Sequence, residues 1–257
     1  MKNLFIPVVA FVTYVVLQPL SVLADSVLFE EIFAYPPSED FRTIEAASAR
    51  GWGTVHSHNV RVPERELNSP WSFNDLSNSV RIYHDGGQSG SLFLSLATAL
   101  PQQGQLTADN QPAGLTISWD YRSTTVMGNN RNRAQFLIGS GTVSSLRHDP
   151  AIRIFVSGGD QDSFTYRDGS ESRTTGAGTF RQNSWYRFEV FDIAIAGGTY
   201  GLRIFNEDLP QSPIYERTGI RFANPVSVLG GIRFNHIYAN TDNRWYNIDN
   251  MQIRSRQ

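Results

Sequence analysis

From residue 25 onward, apolar and polar residues alternate with a period of two. Leu115, Ile117, Trp119 and Tyr121 are separated by Thr116, Ser118 and Asp120. Tyr186, Phe188 and Val190 repeat the pattern, as do Tyr200, Leu202 and Ile204. Successive side chains of a strand point to opposite faces, so this period marks strands with one face in a core. An amphipathic helix would repeat near 3.6 residues instead. Strands are predicted near 27–34, 53–62, 79–84, 91–96, 113–122, 133–140, 151–157, 162–167, 185–194, 199–206, 228–238 and 245–254. Turn residues punctuate them, as at Asp85-Gly86-Gly87, Gly158-Gly159-Asp160 and Ala196-Gly197-Gly198. Only 39–50 reads as helical, and 101–112, 168–183 and 207–226 read as polar loops. Many short strands parted by turns specify an all-β fold, an antiparallel two-sheet sandwich or a barrel.

The first 24 residues have the form of a secretory signal peptide. Lys2 supplies a positive start, Leu4 to Val16 is apolar except at Pro7 and Thr13, and Val22-Leu23-Ala24 forms a small-residue cleavage site. The rival reading is an uncleaved anchor, because the apolar stretch approaches the roughly 20 residues a span needs. Cleavage leaves 233 of the 257 residues, 25–257, enough for one large β domain in a secreted or periplasmic protein. No later segment is apolar enough to cross a membrane. The chain has no Cys, so no disulfide reinforces the core. The formal net charge of −2 argues against nucleic acid as the partner.

The charge pattern carries the functional clue. Lys2 is the only lysine, and all 21 arginines lie beyond residue 41. The missing lysine points to a compositional preference for arginine, and outward arginine also guards exposed sheet against aggregation. Yet Arg81, Arg133, Arg153, Arg187, Arg203 and Arg233 all sit at the parity opposite the apolar residues of their strands. Tyr83, Gln135, Phe155, Glu189, Phe205 and Asn235 share that parity. Guanidinium groups grip carboxylate and sulfate through a fixed fork of donors, and aromatic and amide side chains suit sugar rings. If the strands share a sheet, this is a face for an acidic glycan.

Three segments carry a resemblance. Trp185 to Phe205 is a hairpin opened by a Trp and closed on a Gly198-Thr199-Tyr200 turn, flanked by Leu28-Phe29-Glu30-Glu31-Ile32-Phe33 and by Tyr246-Asn247-Ile248-Asp249-Asn250-Met251-Gln252-Ile253. Together they resemble the concanavalin A-like lectin/glucanase jelly roll, in its secreted bacterial forms related to laminin-G-like domains, over essentially all of 25–257. The resemblance implies a jelly-roll sandwich whose first and last strands are neighbours. It also implies one structural calcium between an acid of the first strand and an Asp of the last. Glu31 shares parity with Phe29 and Phe33, and Asp249 with Met251 and Ile253, so both acids are expected on the core side, where they could meet. The alternative is that each acid pairs with an Arg or sits at a solvated strand end.

The glucanases of that family carry Glu-x-Asp-x-Glu on one strand, and no such motif occurs here. Uronate lyases on jelly rolls need a cation or amide to neutralise the carboxylate and a Tyr or His to move the proton. Arg133, Gln135 and Arg153 suit the first task and Tyr83 the second, with His236 and Tyr238 fitting less well. His56 and His58 share a strand face and could hold a transition metal, although further ligands are not visible. Three readings result: a non-catalytic module that binds a polysaccharide or glycan, a polysaccharide lyase on the same fold, and a structural surface or matrix protein without a sugar site.

Overall fold

The structure, a computed structural model, describes residues 25–36, 40–55, 59–63, 69–71, 79–85, 88–123, 133–157, 163–176, 179–181, 183–237 and 244–256. Residues 1–24, expected to be a signal segment, and His56, His58 and Tyr238 lie outside them. Strands are numbered in chain order. Sheet I runs β15 (Tyr215–Arg221), β14 (Thr199–Asn206), β13 (Trp185–Ala194), β8 (Thr116–Ser123), β18 (Arg244–Arg256), β4 (Val80–Asp85) and β3 (Val60–Arg61). β1 (Asp25–Glu31) also pairs with β18, and β5 (Gln88–Ser89) with β4. Sheet II runs β12 (Glu171–Thr174), β11 (Ser163–Asp168), β10 (Ile152–Ser157), β9 (Arg133–Gly139), β17 (Gly231–Ile237), β6 (Ser91–Ser95) and β2 (Trp52–Val55). β7 (Leu106–Thr107) pairs with β16 (Val228–Leu229). Short helices α1 (Glu45–Ala49), α2 (Leu96–Ala99) and α3 (Val143–His148) complete the elements. The two large sheets are antiparallel and pack as a jelly-roll sandwich, and the first and last strands are neighbours as expected. No helix among the described residues is long and apolar enough to cross a membrane.

The alternation explains the packing. Ile117, Trp119 and Tyr121 of β8 and Tyr186, Phe188 and Val190 of β13 are buried in the same core as Phe136 and Ile138 of β9 and Ile232 and Phe234 of β17. The Trp119 ring stacks on Phe188 at 5.4 Å, with 5° between planes. Phe136 and Phe234 of sheet II meet Trp119 edge-on at 5.1 and 5.7 Å. This aromatic cluster joins the sheets at their centre, and each ring pair adds about 0.5–1.5 kcal/mol to the burial of its area.

Three local features depart from the sequence reading. The predicted loops 168–183 and 207–226 contain β12 and β15. Both are edge strands, exposed along most of their length, so neither carries an apolar alternation. The predicted helix 39–50 divides into a 3-10 turn at Phe41–Thr43 and α1, with the Asp40 carboxylate capping the turn through the Arg42 amide at 3.0 Å. Most consequentially, β18 is bulged. Its register against β8 slips between Asp249 and Gln252, where Asn250 adopts a left-handed φ of 43°. Tyr246 and Ile248 before the bulge and Met251 and Ile253 after it all enter the core. The added residue reverses the parity. Asp249, expected on the core side, therefore faces outward opposite Asp120.

Phe136→Ala is expected to lower the unfolding free energy by about 3–5 kcal/mol in urea titrations, because the cavity opens between the sheets. A loss below about 1 kcal/mol would show that this cluster does not hold them together.

Candidate functional site

Arg81, Arg153, Arg187, Arg203 and Arg233 all point outward, but a sandwich has two outsides. Arg81, Tyr83, Arg187 and Arg203 belong to sheet I; Arg133, Gln135, Arg153, Phe155 and Arg233 belong to sheet II. One ligand cannot touch both sets across the core. The expected single face is corrected to two, and Tyr83 is separated from the Arg153–Gln135 group whose proton chemistry it was expected to serve.

On sheet I most of these cations meet anions. Arg187 donates from Nε and Nη2 to the two oxygens of Asp120 at 2.8 and 3.1 Å and lies over the Trp71 ring. Arg203 bonds Glu216 at 3.0 Å, and Arg254 bonds Glu189 at 2.8 Å. The fully buried pair Asp120 and Asp249 stands at the centre of this face. Ser69 Oγ donates to Asp120 at 2.6 Å, Asn250 Nδ2 donates to the same oxygen at 2.8 Å, and the Ser69 amide donates to Asp249 at 3.3 Å. Burial, and then the neighbouring Asp120 carboxylate, push the Asp249 carboxyl up to about 8.

The expected calcium pair is not brought together. Glu31 lies on the core side of β1, where Oε1 accepts from the Phe33 amide at 2.8 Å. Oε2 accepts from Tyr35 OH at 2.6 Å and Trp52 Nε1 at 3.0 Å, and the Arg50 guanidinium is 3.0 Å away. Its oxygens are engaged, and Asp249 is on the opposite face, so these two residues do not fit a shared cation. The described residues contain no group of three His, Asp or Glu placed to hold a metal.

Sheet II presents a different surface. Its register places Arg153, Leu137, Arg233 and Phe93 in one cross-strand row, and Phe155, Gln135, Asn235 and Ser91 in the next. Arg133 opens β9 one row further on, and its side chain lies outside the described ones. Although on the outer face, Gln135, Phe155, Arg233 and Asn235 are only 9, 6, 5 and 8% exposed. The α3 helix covers one end: a Cβ at Gly231 would meet Leu146 of α3 at 3.2 Å and the Phe93 ring at 2.6 Å. Glycine there lets Phe93 lie flat on the sheet. The polar groups are fixed by one another. Ser91 Oγ donates to Asn235 Oδ1 at 2.6 Å, Arg233 Nη2 donates to Ser91 Oγ at 2.8 Å, and Asn235 Nδ2 donates to Gln135 Oε1 at 3.3 Å. Arg153 Nη2 donates to the Arg147 and His148 carbonyls at the end of α3, with its guanidinium 5.8 Å from the Phe155 ring.

The electrostatics of this face are positive. Burial, and then Arg167, lower the Arg153 pKa against the pull of Asp149; burial, and then Arg147, lower that of Arg233. Among the described residues of β6, β9, β10, β11 and β17, no Tyr, His, Lys, Asp or Glu faces outward here. His236 is turned inward, buried and stacked on Tyr246 at 5.9 Å. Ser91 and Phe93 were missed in the sequence because Ser91 borders and Phe93 continues an apolar run, Leu92 to Leu94, that contains no arginine.

No family model matches the chain, and no curated protein matches it by sequence. Solved structures do. A sialidase aligns with 89% of this chain at a TM-score of 0.53 and 12% identity, but this chain spans only 19% of it. The PL-14 alginate lyase of Aplysia kurodai aligns over 89% of this chain and 98% of its own, with a TM-score of 0.58 and 12% identity. The alginate lyase Aly36B aligns over 90 and 96%, with a TM-score of 0.54 and 12% identity. At such identity the likeness is one of fold.

The raised Asp249 sets a pH dependence. Its carboxyl ionises near 4 when unfolded and near 8 when folded, so the folded state holds the extra proton between those values. Its contribution to stability is complete below about pH 4 and is lost as pH rises to about 8. Urea midpoints between pH 5 and 9 are expected to fall in the parent, and this part of the slope to vanish in Asp249→Asn. An unchanged slope in the variant would assign the dependence elsewhere.

Proposed function

We propose that the protein is a secreted carbohydrate-binding module that takes an acidic polysaccharide on the outer face of sheet II. The observation that supports this most is the row in which Arg153 and Arg233 flank Leu137. The backbone positions of the two arginines are two strands apart, about 10 Å at the usual strand spacing. A charge that burial and like-charged neighbours make costly is stabilised by a bound carboxylate or sulfate, and the fork geometry of arginine suits either. Phe155 and Phe93 supply apolar surface for a sugar ring, and Gln135 and Asn235 supply amides. The jelly-roll neighbours include proteins named for alginate cleavage, which agrees with an acidic sugar as the ligand class.

Binding is favoured over elimination by the described side chains on this outer face. A lyase needs a group to take the proton from the carbon beside the uronate carboxyl and another to protonate the leaving oxygen. The described outward side chains of this face supply cations, amides and hydroxyls, and the Tyr83 phenol stands on the other sheet.

Titration calorimetry with uronate oligosaccharides is expected to show binding by the parent. Arg153→Ala should weaken it about 10- to 100-fold, the worth of one or two charge-assisted hydrogen bonds. Absorbance of an unsaturated product during incubation with several uronate polymers would establish the lyase instead. Absence of both binding and product would favour a structural protein.

A further inference from the structure

The outer face of sheet II continues past β10. Tyr166 of β11 pairs with Ile154, so Arg167, the next residue of β11, extends the row of Arg153. Ser172 of β12 pairs in turn with Arg167. The row therefore runs Arg233, Leu137, Arg153, Arg167, Ser172 and stops at a sheet edge. Among the described residues, β11 alone pairs with β12.

β12 projects from the sandwich. Sheet I ends beneath β11, where Tyr215 and Arg217 of β15 reach Tyr166 OH at 2.6 and 3.0 Å and Arg217 reaches Asp168 at 3.1 Å. Past that border, Ser170 to Thr174 are exposed at both parities, and the Glu171 and Arg173 side chains are 54 and 45% exposed. A strand with an unpaired edge offers its N–H and C=O groups to another strand. Charge normally guards such an edge, because charges of one sign repel a second copy. Here the charges are opposite in sign, two residues apart on one face, and they form an ion pair with each other. Their order is self-complementary. If two β12 strands pair antiparallel with Ser172 opposite its counterpart, Glu171 of each copy stands opposite Arg173 of the other. Centring the pair on Glu171 or on Arg173 would set like charges directly opposite, which is unfavourable. Exposed ion pairs contribute little by themselves. The backbone hydrogen bonds would hold the strands, and the charges would select the register.

We propose that a second copy of this chain pairs antiparallel along β12, with Ser172 at the two-fold axis. The two seven-stranded sheets then form one continuous sheet, with both outer faces on the same side. The same register joins the two arginine rows end to end. The backbone positions of Arg167 in the two copies are three strand spacings apart, about 14 Å, which exceeds the screening length of about 8 Å at physiological salt. Repulsion between the rows is therefore small. The pair presents a single track for a long polyanion, of which each chain supplies half. That consequence rests on sheet II being the saccharide face; the pairing itself does not. A contact along a four-residue strand is small, so the association is weak and concentration-dependent.

Sedimentation velocity without ligand, over a series reaching about 1 mM chain, tests the pairing in the weak range. The parent is expected to shift from monomer towards dimer. Glu171→Arg and Arg173→Glu should each stay monomeric, with the melting temperature in dilute solution unchanged because both side chains are exposed. Mixing the two variants in equal amounts should restore the dimer, since every Arg then faces a Glu. Calorimetry gives the second arm: the gain in affinity of a long uronate polymer over a short oligosaccharide should be at least about 10-fold larger in the parent than in either variant. The pairing is refuted if the parent stays monomeric throughout the series, if both variants associate as the parent does, or if their mixture stays monomeric. An equal gain in all three proteins would refute the shared track. Loss of uronate binding with the dimer intact would strike the reading of sheet II and leave the pairing standing.

Discussion

The structure depends on the aromatic contact between the sheets. Trp119 and Phe188 of sheet I and Phe136 and Phe234 of sheet II fill the centre of the sandwich. A strand slipped by one residue would turn its ring to solvent and its charge into the core. Each arginine of β4, β10, β13, β14 and β17 is directed outward because a large apolar side chain on either side of it is committed inward. A chain without cysteine depends on this packing instead of disulfides.

That same rule explains how much was legible in the sequence. The parity of Val80, Ile82, Ile152, Ile154, Leu202 and Ile204 specified which side chains enter the core, and they do. Parity is silent on which sheet a strand joins, since both sheets bury one face identically. Hence Arg81 and Arg153 read as companions although a core separates them. The bulge at Asn250 was invisible for a related reason: Asp249-Asn250-Met251 continues an apparent alternation, and only the left-handed turn of one residue reverses it. The edge strands β12 and β15 bury too little to leave an apolar signal.

The two outer faces are built on opposite electrostatic plans. Over much of sheet I, arginine is matched to carboxylate, and the Asp120–Asp249 pair is tied into a network of Ser69, Asn250 and Arg187. Such matching stiffens a surface and leaves little field for a ligand. On β6, β9, β10 and β17 of sheet II the described outward polar groups are guanidinium, amide and hydroxyl, many of them withdrawn from solvent beside α3 and hydrogen-bonded to one another. A face whose donors are set in place before binding loses less conformational freedom when the ligand arrives. Sheet II therefore carries the functional reading.

The central claim is that an acidic saccharide is bound on sheet II. A crystal structure of the protein soaked with a uronate tetrasaccharide tests it most directly. The account predicts a sugar lying across β10, β9 and β17, with a carboxylate within hydrogen-bonding distance of the Arg153 guanidinium and a ring against Phe155. A saccharide seated only on sheet I, or an empty sheet II face at saturating ligand, would contradict it.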